Sequence, residues 1–317
     1  MQELILKGVS RPHRIPPYLY NKLLIKLGVK QWGKKGPSVK LAELRHKHRD
    51  YPYSTTSIWD YDWDLLVVLD ACRPEWMRAV KGEYDFINTI ETIHSVGSHS
   101  EEWISNTFAS EHSNQMAKSA YVTGNHYAED LEHSALKEFK SAHDFGSWAY
   151  DSASPPANMI TDLAIRTARQ KEWSKLIVHY MQPHKPFLKR GNTREEYTVD
   201  KESLGHLLYH RYFNGELTVA DLHAAFTDNL RYVLEEVKLL LENVHAPKTV
   251  ITADHGQAFG EDGLYDHIPG VKHPSVREVP WVKTSAKDTE SLYPREYEAA
   301  DYDNKTVQEN LKKLGYL

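Results

Sequence analysis

A carboxylate and an imidazole follow one another near the end of the chain. Asp254 and His255 close a short apolar run, and Gly256 then lets the chain turn. In an open α/β sheet, ligands bind beyond the carboxyl ends of the strands, where this pair is expected. Adjacent carboxylate and imidazole groups are donors that divalent metals accept. Alone, the pair is as compatible with a surface turn as with a metal site.

A second acid occupies the same kind of position. The run Leu65–Leu69 is continuously apolar and ends at Asp70, as expected for a strand buried on both faces of a parallel sheet. Pro74 then begins a predicted helix. An Asp at this point can simply cap the helix that follows. Its repetition at Asp254 favours a metal-binding or catalytic role.

A serine lies where another helix is predicted to begin. A short strand ending near Ile93 leads into residues 95–100, and residues 101–108 have the pattern of a helix with Ser100 at its N-cap. One interpretation is a cap that satisfies backbone N–H groups. The other is a nucleophile that faces an anionic group at the helix N-terminus. Ser98 competes for that second role.

Further histidines occupy predicted loops. A strand over 176–181 runs into Pro-His-Lys-Pro, in which His184 and Lys185 are placed to hold an anion. The alternative is a rigid loop with solvated side chains. A glycine-rich loop after Asp254 carries His267, and His273 follows it. We expect these histidines to reach the same edge of the sheet.

The elements that must position these groups alternate along the chain. Alternating strands and helices argue for an α/β fold with a mostly parallel sheet and helices on both faces. Pro280 suggests that the last strand lies at an edge. Besides those named above, strands are predicted at 120–123, 248–253 and 278–282, and helices at 158–170, 219–241 and 307–314.

Charge divides the chain into two parts. The net charge is −5, yet the first 50 residues hold twelve Lys/Arg and three Asp/Glu, against 27 and 41 in the remainder. We predict a basic N-terminal extension over 1–56, with a helix over 17–28, and a main domain over 57–317. The extension is expected to pack on that domain, with peripheral contact to an anionic membrane as the alternative. No nucleic acid partner is expected, because a repeated basic stripe with interleaved aromatics is missing.

The compartment is inferred from three absences in the sequence. Cys72 is the single cysteine, which excludes an internal disulfide and favours a reducing compartment. No run approaches the roughly 20 apolar residues of a membrane span, and the N-terminus lacks the apolar core of a signal peptide. We therefore expect a cytoplasmic protein, with the inner face of the membrane as the surface that the extension would contact.

Several stretches carry a resemblance to a known family. Residues 63–73 (WDLLVVLDACR) resemble the first strand of the alkaline phosphatase superfamily, sulfatase-like branch, with its metal-binding Asp and following Arg. Residues 251–256 (ITADHG) with 260–263 (GEDG) resemble the second metal motif, and 277–282 (REVPWV) the closing strand. The tail over 311–317 is also similar. The resemblance covers about residues 58–317 and implies the fold of that family and a sulfatase-like catalytic domain.

The resemblance also implies roles for the residues that match the family's motifs. Mixed carboxylate and imidazole ligands favour Zn or Mn over Ca or Mg, with one or two ions bound. For His273 a role as general acid remains the alternative to metal binding. By role, the assignments are catalysis by Ser100, His184 and Arg73, substrate binding by Lys185, His267 and Ser98, and metal binding by Asp70, Asp254, His255 and His273.

The chain departs from the family at the formylglycine motif of ordinary sulfatases. The segment from Cys72 to Trp76 begins like that motif but ends in Trp rather than Arg, and it directly follows Asp70. A Ser nucleophile suits phosphate esters better than sulfate esters. The leading hypothesis is a metal-dependent hydrolase of an anionic phosphate (or sulfate) ester, linked to a glycan or lipid. The alternatives are a phospho-head-group transferase acting on a lipid or glycan, and a non-catalytic binder of the same fold.

Overall fold

A seven-stranded sheet forms the centre of the computed structural model, which describes Lys26, Gly28 and residues 32–145, 154–170 and 173–299. Two further ladders have two strands each. The strands are β1 (Leu65–Leu69), β2 (Ile90–His94), β3 (Ser119–Thr123), β4 (Glu138–Ser141), β5 (Lys175–Tyr180), β6 (Leu188–Arg190), β7 (Tyr197–Val199), β8 (Ala246–Thr252), β9 (Ala258–Phe259), β10 (Tyr265–Asp266) and β11 (Glu278–Ala286).

The main sheet is mostly parallel, as predicted. Its strand order is β2-β11-β8-β1-β5-β3-β4, and the five strands from β8 to β4 run in the same direction. β11 alone is antiparallel, to β8 on one side and to β2 on the other. All five residues of β1 are fully buried, which requires cover on both faces of the sheet.

Helices provide that cover. The longest begins with a capping box between Thr218 and Asp221, which satisfies backbone N–H groups at its start. It buries an apolar stripe that includes Leu222, Phe226 and Leu230. Within the described residues, the α-helices are α1 (Gly36–Lys47), α2 (Pro74–Val80), α3 (Ser100–Thr107), α4 (Ser113–Met116), α5 (Ala157–Gln170), α6 (Leu207–Phe213), α7 (Val219–Asn243) and α8 (Pro274–Arg277).

The edge position predicted for the last strand is wrong. β11 lies between β2 and β8, and it is nine residues long rather than five. Pro280 is tolerated because its ladder partner is Thr92 of β2, whereas the ladder with β8 begins only at Val282. The missing N–H of the proline therefore removes no bond from the β8 ladder.

The N-terminal region is described only in part. Trp32 is fully buried against Tyr209 and Tyr265, and α1 packs Ala42 among buried side chains that include Leu264. The predicted helix over 17–28 lies outside the described residues apart from Lys26 and Gly28, and the predicted helix over 307–314 and the similar tail lie outside them entirely. The boundary at residue 57 stays a prediction. Within the described residues, no helix has the length and apolar character that crossing a membrane requires.

Candidate active site

Four neighbouring parallel strands end at one edge of the sheet, and each delivers a polar side chain there. Parallel strands all point their carboxyl ends the same way, so the groups that follow them converge. A fifth segment, which follows β2, adds a hydroxyl. The groups are Asp254 and His255 after β8, Asp70 after β1, His184 after β5, Asn125 after β3, and Ser100 after β2.

The two carboxylates adjoin because of strand register. β1 pairs in parallel with β8 through Val68 and Thr252, so Asp70 and Asp254 leave the sheet side by side. Both are at most 2% exposed. The turn that follows also requires its glycine, because a Cβ on Gly256 would lie 2.3 Å from a backbone oxygen of the neighbouring segment. That close approach anchors the chain directly after the predicted metal ligands.

The Ser100 hydroxyl lies among these groups. Its Oγ is 2.8 Å from Asp254 Oδ2, 3.2 Å from His255 Nε2 and 3.4 Å from Asp70 Oδ2. The predicted N-cap position of Ser100 is wrong by one residue, because the cap is His99, whose extended backbone precedes a helix that begins at Ser100. The serine therefore lies on the first helical turn, with its hydroxyl directed at two carboxylates.

Asp70, Asp254 and His255, here called the inner cluster, could hold a metal ion. Each offers one ligand atom, and these atoms all lie within 4.8 Å of one another. Asp70 Oδ1 is buried and has no hydrogen-bond partner among the described residues. Burial, reinforced by Asp254, holds the pKa of Asp70 well above its usual range. A divalent cation would supply the missing partner and relieve the repulsion between the two carboxylates.

His184, Asp266 and His267, here called the outer cluster, form a second such group. Their ligand atoms also lie within 4.8 Å of one another. Both ring nitrogens of His184 are buried and unpartnered within the described part of the chain. Burial, with His267 and Lys185 nearby, holds the pKa of His184 well below its usual range. A neutral imidazole with free nitrogens is the form that binds a metal.

The tautomers of two histidines support metal binding. His255 Nδ1 lies 2.8 Å from the Gly256 carbonyl oxygen, which can only accept, so we assign the hydrogen to Nδ1. His267 Nδ1 lies 2.7 Å from Gln257 Oε1, so it also donates. Each ring therefore keeps a lone pair on Nε2, as in metal-ligating histidines whose other nitrogen donates. The two rings stack with centroids 4.4 Å apart.

A single cavity of about 160 Å³ joins the two clusters. It is lined by Asp70, Ser100 and all three members of the outer cluster. Lys185 lines it too, with its ammonium 3.0 Å from Asp266 Oδ2 and 4.8 Å from the centre of the Tyr209 ring. The cavity therefore offers a nucleophile, carboxylates, imidazoles and a cation within one small space, which suits a small anionic group.

Three residues assigned from the sequence lie elsewhere. Arg73 donates to the Gln257 carbonyl oxygen at 2.7 Å and to Glu261 at 2.6 Å, which ties down the loop between the two clusters. Ser98 is fully buried and contacts Glu102 and the Ile268 carbonyl oxygen, each at 2.8 Å. Arg73, Ser98 and His273 are not among the described residues that line the cavity.

The position of His273 differs most from its assignment as a metal ligand. It caps α8 through the Ser275 N–H, and its Nε2 lies 3.6 Å from Asp262. It belongs to neither cluster. The physical reason is that His273 serves as the N-cap of α8. A hydrogen bond from the Gly256 N–H to the Val276 carbonyl oxygen holds this helix beside the end of β8.

The sequence reasoning missed several residues that shape the site. Asp266 and Asn125 each had a signal, since Asp266 precedes His267 and Asn125 follows a predicted strand. Asn125 donates to Asp70 Oδ2 at 3.3 Å. Gln257 and His179 contact the proposed metal ligands His267 and Asp254 rather than the cavity, and no sequence pattern indicates such contacts. His179 Nε2 lies 3.5 Å from Asp254 Oδ2 while its Nδ1 meets the Tyr121 hydroxyl at 2.9 Å.

Comparisons with known proteins support the fold. No protein-family model and no curated protein matches the chain. Among solved structures, lipooligosaccharide phosphoethanolamine transferase A (EptA) of Neisseria meningitidis is 12% identical with a TM-score of 0.51, covering 91% of this chain and 59% of that one. The chain thus spans about three fifths of the length of that structure. At this identity the likeness concerns the fold alone, and it agrees with the predicted α/β fold built on a mostly parallel sheet.

Two further structures are similar at lower scores. The soluble domain of the same Neisseria meningitidis transferase is 15% identical with a TM-score of 0.48, over 76% of this chain and 80% of that one. A protein in the alkaline phosphatase superfamily from Vibrio parahaemolyticus is 11% identical with a TM-score of 0.37, over 86% and 73%.

Proposed function

We propose that this protein is a metal-dependent enzyme that cleaves phosphate esters through attack by Ser100. The observation that carries the proposal is the position of Ser100 Oγ, within 3.4 Å of both carboxylates and the imidazole of the inner cluster. A serine used only as a helix residue does not require three such neighbours. A nucleophile beside a metal does, because its hydroxyl must be oriented and its negative charge compensated.

The inner cluster is the first proposed metal site, and the outer cluster is the second proposed metal site. A divalent ion bound there would lower the pKa of the Ser100 hydroxyl and compensate charge on the phosphoryl oxygens. The donor set of carboxylates and imidazoles suits Zn or Mn. The unpartnered nitrogens of His184 and the free Asp70 Oδ1 support this, because buried polar atoms otherwise find partners within the protein.

The chain's own groups account for the remaining chemistry. Asp254 Oδ2 accepts the hydrogen bond of the Ser100 hydroxyl and so orients an oxygen lone pair. Attack forms the bond from Ser100 Oγ to phosphorus and breaks the bond from phosphorus to the leaving oxygen, which takes up the proton that Ser100 loses. The Lys185 ammonium stabilises charge on the other oxygens. Water or an alcohol then forms a bond to phosphorus, the bond from phosphorus to Ser100 Oγ breaks, and the proton that the acceptor loses restores the Ser100 hydroxyl.

Phosphate esters are favoured over sulfate esters. Cys72 is fully buried, and burial holds the pKa of its thiol well above the usual range. It therefore offers no counterpart to the modified cysteine of ordinary sulfatases, whereas the serine hydroxyl suits phosphorus.

Transfer of a phospho head group to an alcohol is a second candidate function. It is favoured by the match in fold to a lipooligosaccharide phosphoethanolamine transferase over 91% of this chain. Hydrolysis and transfer share the first step and differ only in the acceptor that attacks the phospho-serine. The acceptor would be an alcohol of a lipid or glycan. A basic extension that contacts an anionic membrane would bring the enzyme to such a substrate.

A panel of esters tests the proposal. Aryl phosphates, phosphodiesters that carry an ethanolamine head group, and aryl sulfates are supplied with Mn²⁺ or Zn²⁺, with and without a soluble alcohol. We expect metal-dependent cleavage of phosphate esters, which Ser100→Ala abolishes and the control Ser98→Ala retains. Product on the added alcohol identifies a transferase, and product on water alone a hydrolase. Metal-dependent cleavage that survives in Ser100→Ala contradicts the proposal.

Membrane contact is tested separately. Vesicles of phosphatidylglycerol should sediment the full chain more than vesicles of phosphatidylcholine, and deletion of residues 1–31 should reduce this difference. The deletion stops before Trp32, because that side chain is fully buried and its loss would unsettle the domain. Co-sedimentation that the deletion leaves unchanged argues against docking by this segment.

A further inference from the structure

We propose that His99 donates a hydrogen bond from Nε2 to a phosphoryl oxygen of the substrate in the cavity. This inference rests on the proposed function, whose site it completes. His99 was not among the residues assigned from the sequence. It lines the same cavity as Ser100, which is the next residue in the chain.

A hydrogen bond at the N-cap of α3 determines the tautomer of His99. Its Nδ1 accepts a hydrogen bond from the Glu101 N–H at 3.2 Å, as the N-cap of α3. A backbone N–H can only donate, so Nδ1 must present its lone pair. The ring therefore carries its single hydrogen on Nε2. The cap thus both begins the helix and determines which nitrogen is a donor.

The neighbouring histidines have the opposite tautomer to His99. The His99 ring lies 5.1 Å from that of His267 and 6.1 Å from that of His255, measured between centroids. Those two rings donate from Nδ1 and keep lone pairs on Nε2. The hydrogen-bond partners of these three adjacent imidazoles therefore give them different tautomers. The Nε2 atoms of His255 and His267 can bind a cation, whereas the Nε2 of His99 can only donate a hydrogen bond.

The His99 ring borders the cavity beside Ser100. The Nε2 of His99 has no hydrogen-bond partner within the described residues, while the ring borders the cavity and packs 4.9 Å from the Tyr127 ring. The N-cap bond holds the ring to the same helical turn that carries Ser100. Donor and nucleophile are thus fixed relative to each other. A hydrogen-bond donor beside the nucleophile can donate to the phosphoryl oxygen on which negative charge develops during the reaction, as in an oxyanion hole.

Two substitutions separate the donor from the cap. His99→Asn keeps a strong N-cap acceptor but is too short to reach into the cavity. His99→Gln keeps an N–H donor near the position of Nε2 but caps poorly. We expect His99→Asn to lose roughly 100-fold in kcat, the scale for one oxyanion donor, with an unchanged unfolding temperature. His99→Gln should retain most activity and unfold a few degrees lower. The opposite ranking of the two activities, with Asn active and Gln impaired, would overturn the proposal.

Phosphate binding tests the donor without turnover. The full-length protein with Ser100→Ala is loaded with Zn²⁺ and titrated with inorganic phosphate by calorimetry, with and without His99→Asn. We expect His99→Asn to weaken phosphate binding at least about fivefold, since a bond to a charged acceptor is lost. Equal phosphate affinities overturn the role of His99 and leave the proposed function standing if the wild type still cleaves esters through Ser100.

Nitrogen NMR of the same sample reads the tautomer itself. Long-range ¹H–¹⁵N correlation should give an Nε2–H form for His99, with a hydrogen that shifts when phosphate is added. An Nδ1–H form overturns the inference. If phosphate binds through His99 but no phosphate ester is cleaved by the wild type, the donor stands and the proposed function fails.

Discussion

Two regions of this molecule bury charged groups, and they do so in opposite ways. Asp162 on α5 and Glu236 on α7 meet Arg190 and Arg194, and a tyrosine hydroxyl completes the group, here called the Arg194 network (Asp162, Arg190, Arg194, Glu236 and Tyr297). Every carboxylate oxygen in this network has a partner. In the inner cluster two buried carboxylates adjoin, and Asp70 Oδ1 has no hydrogen-bond partner among the described residues.

The difference identifies which region awaits a ligand. A buried charge costs several kcal/mol unless it is paired and hydrogen bonded. The Arg194 network meets that condition with protein groups alone, so its role is to join α5, α7 and the loop that carries Arg194. The inner cluster does not meet it. A site that retains a buried carboxylate oxygen and imidazole nitrogens without hydrogen-bond partners is one in which binding, rather than folding, supplies the partner.

The largest expected effect is the loss of the nucleophile. Ser100→Ala should lower kcat by roughly 10⁴-fold, since a covalent step is removed, while the free energy of unfolding changes by less than about 1 kcal/mol. Steady-state kinetics with metal and chemical denaturation measure the two quantities. A variant that keeps within tenfold of wild-type kcat would remove Ser100 from the mechanism.

The control for this substitution is Ser98→Ala. Ser98 bonds to Glu102 and to the Ile268 carbonyl oxygen, and its loss leaves buried groups unpaired at a cost of about 1–3 kcal/mol. Its activity per folded molecule should be retained. The two serines, two residues apart, should thus divide cleanly between chemistry and stability.

The next largest effect is expected in the Arg194 network. Arg194→Met leaves Asp162 and Glu236 buried without their main partner and should destabilise the protein by about 3–5 kcal/mol. Metal affinity and kcat of the folded fraction should not change. The control is Arg166→Met, because the Arg166–Glu296 pair is exposed (38% and 82%) and should contribute less than about 1 kcal/mol. Equal costs for the two arginines would contradict the comparison.

Metal linkage gives the third effect. Saturating Zn²⁺ or Mn²⁺ at 100 times its Kd should stabilise the wild type by about 2.7 kcal/mol, and Asp70→Asn should lose most of that gain. Without metal, Asp70→Asn should be as stable as the wild type or more so, because it removes a buried carboxylate that adjoins Asp254. Denaturant unfolding with and without metal measures both values.

The matched substitution in the paired region is Asp162→Asn. It should lower stability by a similar amount whether or not metal is added, because its partners Arg194 and Tyr297 belong to the protein. If Asp70→Asn behaved in the same way as Asp162→Asn, the distinction between the two regions would fail.

The smallest effect concerns His273. His273→Ala should leave metal content and kcat unchanged and cost about 1 kcal/mol, the usual value of an N-cap. Metal analysis after dialysis, together with a denaturation curve, measures this. Loss of a bound ion in the variant would restore His273 to the metal site.

The fold was predictable because its signals are local. β1 follows its apolar run residue for residue, and the long helix follows the spacing of Leu222, Phe226 and Leu230. The position of Pro280 was not predictable, since an edge and a place where one ladder has not yet begun look alike in sequence. Strand order is decided by pairings between distant segments, on which local patterns carry no information.

The site was predictable where a ligand directly follows a strand. The structure brings Asp70, Asp254 and His255 together because β1 and β8 are neighbours, whereas Ser100 reaches them from the start of α3, after β2 on the other side of β11. The histidine tautomers could not be predicted from the sequence, because they depend on contacts that only the folded chain creates, such as the hydrogen bond from the Glu101 N–H to His99. Arg73, Ser98 and His273 lie near the right segments, but each is directed at a neighbouring loop.

Trapping the covalent intermediate tests the central claim most directly. The metal-loaded wild type is mixed with an activated aryl phosphate, quenched in acid within one turnover and digested for mass spectrometry. We predict a phosphorylated peptide in which Ser100 carries the group, absent without metal and absent in Ser100→Ala. Turnover of the ester with the label on another residue, or with no covalent label at any time, would contradict the assignment of Ser100 as the nucleophile.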